Sequence, residues 1–119
     1  MEKVNLAQKL SLFSEHWSPK VVGELNGQQV KLAKLLGTFD WHHHEHEDEL
    51  FLVIKGTLTL RLREREVVLQ EGELFIVPRG VEHQPIAEEE AHVLLVEPAS
   101  TLITGNLRNE RTVTELERL

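Results

Sequence analysis

From Val21 to Pro98 the chain is a series of short segments in which apolar and polar residues alternate, separated by Gly and Pro. "TLTLRLR" alternates strictly, with Leu58, Leu60 and Leu62 on one side and Thr57, Thr59, Arg61 and Arg63 on the other. That is the period of a half-buried strand. "ELFLVI" divides in the same way: Glu49, Phe51 and Val53 share one face, and Leu50, Leu52 and Ile54 the other. "VVGEL" and "QVKLAKLL" flank Asn26-Gly27, a pair suited to the positive φ of a tight hairpin, and Lys55-Gly56 marks a second turn. "EVVLQ" runs to Gly72, "ELFIVP" stops at Pro78 and "AHVLLVEP" at Pro98, since proline cannot donate to a ladder. Many short strands with such turns predict an all-β, antiparallel sandwich or barrel.

The ends read differently. "NLAQKLSLF" predicts a short helical arm over residues 4–14, with Asn5 as N-cap, broken by Ser18-Pro19. Residues 99–119 read as a polar tail, in which Thr114 and Glu117 have capping-box spacing and offer a short helical turn. With no long linker or repeat, the 119 residues are expected to form one domain with a barrel core over about 21–98.

Charge narrows the partners. Thirteen basic against 20 acidic residues give a net charge of −7. This argues against nucleic acid and against anionic membrane surfaces, both of which call for basic patches. No apolar run reaches membrane-spanning length. The chain has no Cys, so any metal is held by nitrogen and oxygen ligands. The lack of disulfides and of a signal-like N-terminus makes a cytoplasmic protein the expectation.

The candidate chemistry lies in "FDWHHHEHEDELFLVIKG", which places four of the seven histidines within five residues. On an extended chain His42 and His44 project together while His43 points away, and two imidazoles so spaced can bind one divalent ion. Glu49 is the charged member of an apolar row, a costly burial unless it is paired or bound to a cation. A solvated acidic loop is the competing reading of this window. A second window, "GELFIVPRGVEHQPIA", ends a strand at Pro78, turns at Gly80 and places His83 where the turn could aim it back across a barrel.

Together the windows resemble the cupin superfamily, whose motifs are G-x5-H-x-H-x3,4-E-x6-G and G-x5-P-x-G-x2-H-x3-N. His42, His44, Glu49 and Gly56 match the first, with Gly37 one residue too close to His42. Gly72, Pro78, Gly80 and His83 match the second, with Ala87 in place of its terminal Asn. The resemblance implies a six- to eight-stranded jelly-roll barrel, with short helical segments at the termini here. It also implies one divalent metal ion (Fe, Mn, Zn or Ni) held by His42, His44, Glu49 and His83. A register using His44 and His46 is the alternative. Short members similar to this chain are often described as mannose-6-phosphate-isomerase-like. The functions to weigh are a metal-dependent enzyme (dioxygenase, isomerase or lyase) acting on a small oxygen-rich metabolite, a non-catalytic module that binds or senses a small molecule, and a metal-stapled structural protein. Leu6, Leu10, Leu12 and Phe13 exceed what a free tail would display, and a homodimer formed through the N-terminal strands is expected. Lys31 and Lys34 read as charges guarding an exposed edge. His16, His92 and Trp41 read as lying outside the cavity, and Glu88 to Glu90 as a solvated turn.

Overall fold

A computed structural model describes residues 2–112 and 115–119. Seven strands follow one short helix: α1 (Leu6–Leu10), β1 (Lys20–Leu25), β2 (Gln28–Thr38), β3 (Glu49–Lys55), β4 (Leu58–Leu62), β5 (Glu66–Leu69), β6 (Leu74–Val77) and β7 (His83–Pro98). Every pairing between them is antiparallel. One path runs β1-β2-β7-β3-β6, and β4 joins β5 to β7. The ladder does not close as the barrel expectation required. Among the described residues β1, β5 and β6 each pair with one strand and form open ends.

The alternation sets the two faces. Leu58, Leu60 and Leu62 of β4 are buried, as are Phe51 and Val53 of β3. Leu58, Leu60, Phe51 and Val53 meet Ala33, Leu35, Val93 and Leu95 of β2 and β7 in one apolar core. Asn26 and Gly27 both have positive φ (51° and 79°), the backbone that the two-residue β1–β2 hairpin requires.

β7 is much longer than "AHVLLVEP" suggests. It begins at His83, pairs with β4 over its first four residues, and then runs between β2 and β3. Glu88 to Glu90 are exposed as expected but do not form a turn. They bulge within β7, opposite the single residue Leu36, where the strand passes from one layer to the other.

The helical arm is shorter than expected. Asn5 caps it, its side chain accepting from the Gln8 N–H at 3.0 Å. Ser11 ends it by hydrogen-bonding back to Gln8, and Leu10 and Phe13 then bury against Leu32. The N-terminal apolar groups are thus largely satisfied within the chain, although Leu12 stays 59% exposed. Further bare apolar positions lie on the open-edged strands: Leu74 and Ile76 of β6 are 54% and 51% exposed, and Leu25 of β1 is 53% exposed. The expected C-terminal helical turn rests on Thr114, outside the described residues. Residues 99–112 do not form a free polar tail: Thr104 is fully buried, and the segment crosses the mouth of the core as a strap.

Candidate metal centre

His42 and His44 lie in the irregular segment before β3, not on a ladder strand. A reciprocal backbone pair nonetheless locks the tract to the start of β7: the His42 N–H donates to the His83 carbonyl at 3.1 Å, and the His83 N–H to the His42 carbonyl at 2.9 Å. The Gly80 N–H donates to the His44 carbonyl at 2.7 Å, so the Pro78–Gly80 turn is stitched to the same tract. This brings the distant His83 side chain against those of His42 and His44. The rings of His42 and His83 are 4.3 Å apart, and those of His44 and His83 5.6 Å. One nitrogen from each of His42, His44 and His83 lies within 4.8 Å of the others, and all three residues are buried.

Glu49, at the first position of β3, lies beside this three-histidine group. Its Oε1 is 3.3 Å from His44 Nε2 and 3.6 Å from His83 Nε2. The hydrogen bonds orient the imidazoles. His42 Nδ1 lies 2.8 Å from the Asp40 carbonyl and His83 Nδ1 3.0 Å from the Val81 carbonyl. A carbonyl only accepts, so in both neutral rings Nδ1 carries the proton and Nε2 offers its lone pair inward. Both nitrogens of His44, Nε2 of His83 and Oε1 of Glu49 are buried without any hydrogen-bond partner. Orphaned buried polar atoms are expensive. One cation among them would satisfy several at once, so these residues fit a metal ion on the chemistry of their free atoms.

The other histidines stand apart. The His46 side chain is 85% exposed, and His43 points toward Glu45. The His44/His46 register therefore does not form a cluster. Trp41 lies outside, with the Arg63 guanidinium 3.8 Å from its ring centre. His16 and His92 lie 2.6 and 2.9 Å from the two oxygens of Glu90, tying the N-terminal segment to β7. Their hydrogen bonds hold the Glu90 carboxyl down at about 2.

Burial is the main force on the His42 imidazole. Reinforced by the nearby His83, it lowers the pKa to about 4, with the Asp40 carbonyl opposing. The ring is therefore neutral and ready to ligate at physiological pH. An unfolded His42 binds a proton below about pH 6.5, whereas the folded one does so only near 4. Stability from this group is thus fully present above 6.5 and lost as pH falls toward 4, by on the order of 3 kcal/mol. Urea unfolding in excess chelator, compared between the wild type and His42→Asn, should show a steeper acid loss in the wild type. Parallel profiles would contradict the assignment.

Two residues passed over by the sequence reading lie behind Glu49. Lys31 is not an edge charge. β2 is sandwiched between β1 and β7, and Lys31 and Glu97 are each 1% exposed, with Nζ 2.8 Å from Oε1. The Glu97 carboxyl is a direct neighbour of Glu49. Burial pushes the Glu97 carboxyl well up and the adjacent Glu49 adds to this, while Lys31 opposes. Burial pushes Glu49 up too, but the adjacent Glu97, His44 and His83 outweigh it and hold Glu49 well below the usual carboxylate range. Strand parity could have found both, since Lys31 shares a face with Ala33 and Leu35, and Glu97 with Val93 and Leu95.

Beside His42 and Glu49 lies a cavity of about 20 Å³, walled by Trp17, Leu35, Phe39, Phe51, Val93 and Ile103 among others. That is room for about one water. Trp17 stacks on Phe39 with ring centres 4.5 Å apart, a contact that no local pattern announces. The strap closes this side. The Asn106 N–H donates to the His43 carbonyl at 2.9 Å, and the His43 N–H to Asn106 Oδ1 at 3.0 Å. Gly105 permits that approach, because a Cβ there would collide with the His43 carbonyl and lie 2.9 Å from His42 Cδ2.

A cupin-domain family model matches residues 28–97, more than half of the chain. The chain belongs to the cupin family. A cupin-2 domain protein from Shewanella frigidimarina superposes with a TM-score of 0.79 at 46% identity, over 80% of this cupin and 93% of that chain. The uncharacterized protein YdbB of Bacillus subtilis is 38% identical over 64 residues, 53% of this cupin and 57% of YdbB. The 3-hydroxyanthranilate 3,4-dioxygenase of Bos taurus is 40% identical over 67 residues, 51% of this cupin but 23% of the dioxygenase. The matches thus span just over half of YdbB and less than a quarter of the bovine enzyme. Among the described residues no helix is long and apolar enough to cross a membrane.

Proposed function

We propose that this cupin binds one divalent ion through His42, His44, His83 and Glu49 and uses it in dioxygenase-type chemistry on a small oxygen-rich metabolite. The observation that carries the reading is the convergence of buried, unpartnered Nε2 and Oε1 atoms from three separate chain segments. The similarity to 3-hydroxyanthranilate dioxygenases supports oxygen chemistry over isomerase or lyase chemistry. The mannose-6-phosphate-isomerase-like description has its support in chain size and barrel architecture alone.

Three imidazoles and one carboxylate leave one or two positions open on a five- or six-coordinate ion, which when bound supplies a Lewis acid or an oxygen site. The chain's own residues do the rest. The Asp40 and Val81 carbonyls fix the tautomers of His42 and His83. Trp17, Phe39, Phe51 and Ile103 keep the space beside the site apolar and nearly dry. A substrate larger than water needs the strap at Gly105–Asn106 to move. On the outer side of the strap His44, Asn106 and Arg108 line an open pocket of about 450 Å³, which gives a polar ligand a place to approach.

The closed strap and small cavity favour one second reading, a non-catalytic module that holds its metal and a small ligand. Elemental analysis of protein purified without a metal-affinity step, followed by oxygen uptake on ortho-aminophenol and catechol carboxylates, separates the two. The enzyme reading expects about one iron or manganese per chain and substrate-dependent uptake. Stoichiometric metal without uptake would favour the binding module, and a chain that takes up no metal would end both.

A further inference from the structure

Glu49 has two sides. One faces His44 and His83, where its Oε1 is left free. The other faces β7. Leu50 pairs with Val96 across the β3–β7 ladder, so the preceding residue Glu49 stands opposite Glu97 on the inner face. Two carboxyl groups directly across a ladder repel one another when both are charged, and an apolar pair would suit this face better. The chain places them there regardless and adds a third buried group. Lys31 on β2 pairs with Leu95, diagonal to Glu97, and its Nζ reaches Glu97 Oε1 at 2.8 Å. Lys31, Glu97 and Glu49 thus form a line across three neighbouring strands that ends at the imidazole cluster. Glu97 Oε2 is buried and meets no nitrogen or hydroxyl donor. A line of this kind is costly to bury, and a stability role alone gives it no reason to end on the one acidic member of the cluster.

We propose that Glu97, anchored by Lys31, is the positioning residue that fixes the Glu49 carboxylate for metal binding. The proposal rests on the metal-site reading above. Lys31 holds one Glu97 oxygen, which leaves the other directed at Glu49. A proton shared between the two carboxyls makes that contact attractive, stops the Glu49 carboxylate from rotating and keeps Oε1 toward His44 and His83. Loss of an outer partner of a metal ligand commonly weakens affinity about 10- to 100-fold. A glutamine at position 97 offers the same two contacts, a carbonyl oxygen to accept from Lys31 and an N–H to donate to Glu49. An aspartate keeps the carboxyl group but withdraws it by one methylene.

Cobalt(II) serves as the probe, because its visible spectrum reports ligand geometry and its dissociation constant can be measured by chelator competition. The wild-type chain, His83→Ala, Glu97→Leu, Glu97→Asp and Glu97→Gln are compared at one pH, with folding checked by thermal melts. Glu97→Leu and Glu97→Asp are expected to bind one cobalt about 10- to 100-fold more weakly and with an altered spectrum. Glu97→Gln should restore both affinity and spectrum to near the wild type. If Glu97→Leu fails to fold, the aspartate and glutamine variants decide. Wild-type affinity in Glu97→Asp with weakened Glu97→Gln means that charge matters rather than position, and overturns the proposal. Full affinity in the leucine and aspartate variants, with binding lost in His83→Ala, overturns the proposal and leaves the metal site standing. If His83→Ala binds as tightly as the wild type, the metal-site reading itself has failed.

Discussion

Replacing His83 with alanine is expected to abolish stoichiometric metal binding, although it leaves the histidine-rich tract intact. His83 is fully buried, its Nδ1 is engaged by the Val81 carbonyl, and its Nε2 is free toward Glu49. Removing a direct ligand should weaken affinity by more than the ~10–100-fold cost of losing an outer partner. The chain alone distinguishes this from adventitious capture by neighbouring surface histidines. His46 carries an 85% exposed side chain, and His43 turns toward Glu45. His43→Ala and His46→Ala should therefore keep one ion per chain at unchanged affinity. Metal content after dialysis, read by elemental analysis and calorimetry, decides the matter. Undiminished content in His83→Ala would mean that the tract binds on its own.

The second large effect concerns stability without metal. Lys31→Met should cost about 3–5 kcal/mol in excess chelator, because it removes one partner of a buried pair and leaves Glu97 Oε1 without its donor. For a chain of this length such a loss lowers the melting temperature by more than about 10 °C. The exposed Arg61–Glu66 pair is the internal control. Its groups lie 3.7 Å apart on the surface, and Arg61→Met should change stability by less than about 1 kcal/mol. Urea unfolding of both variants measures the difference. A Lys31→Met variant as stable as the wild type would show that the buried line contributes nothing to the fold.

Much of this architecture is written in period-two patterns. β4 is read directly from Leu58, Leu60 and Leu62, and β3 from the row in which Glu49 stands among apolar residues. The site was legible for a different reason. His42, His44, Glu49 and His83 recur at motif spacings, even though the two tract histidines are not in a regular strand and owe their placement to the His42–His83 backbone pair. Where chemical type conflicts with period, type misleads. Lys31 sits at an inward parity position, but lysine is so seldom buried that it reads as an edge charge. Three consecutive glutamates likewise read as a turn, whereas Glu88 to Glu90 form a bulge inside β7. The strap over the site left no trace in sequence, because Asn106 and Gly105 act only through docking on His43, and no local period encodes such a contact.

The length and place of β7 bear on how the chain reaches its native state. β2, β3 and β4 all wait for the same late strand, so their open edges stay unsatisfied until residues 83–98 are available. Bringing β7 to β2 closes a long loop and must bear its entropy before the contacts repay it. Such topologies fold in milliseconds to seconds rather than microseconds. During that interval the apolar row of β3 is exposed and prone to association. The candidate ligand set meanwhile lacks His83, which arrives with β7. The candidate metal centre is complete only with the last strand, so an ion bound there would meet a nearly finished fold.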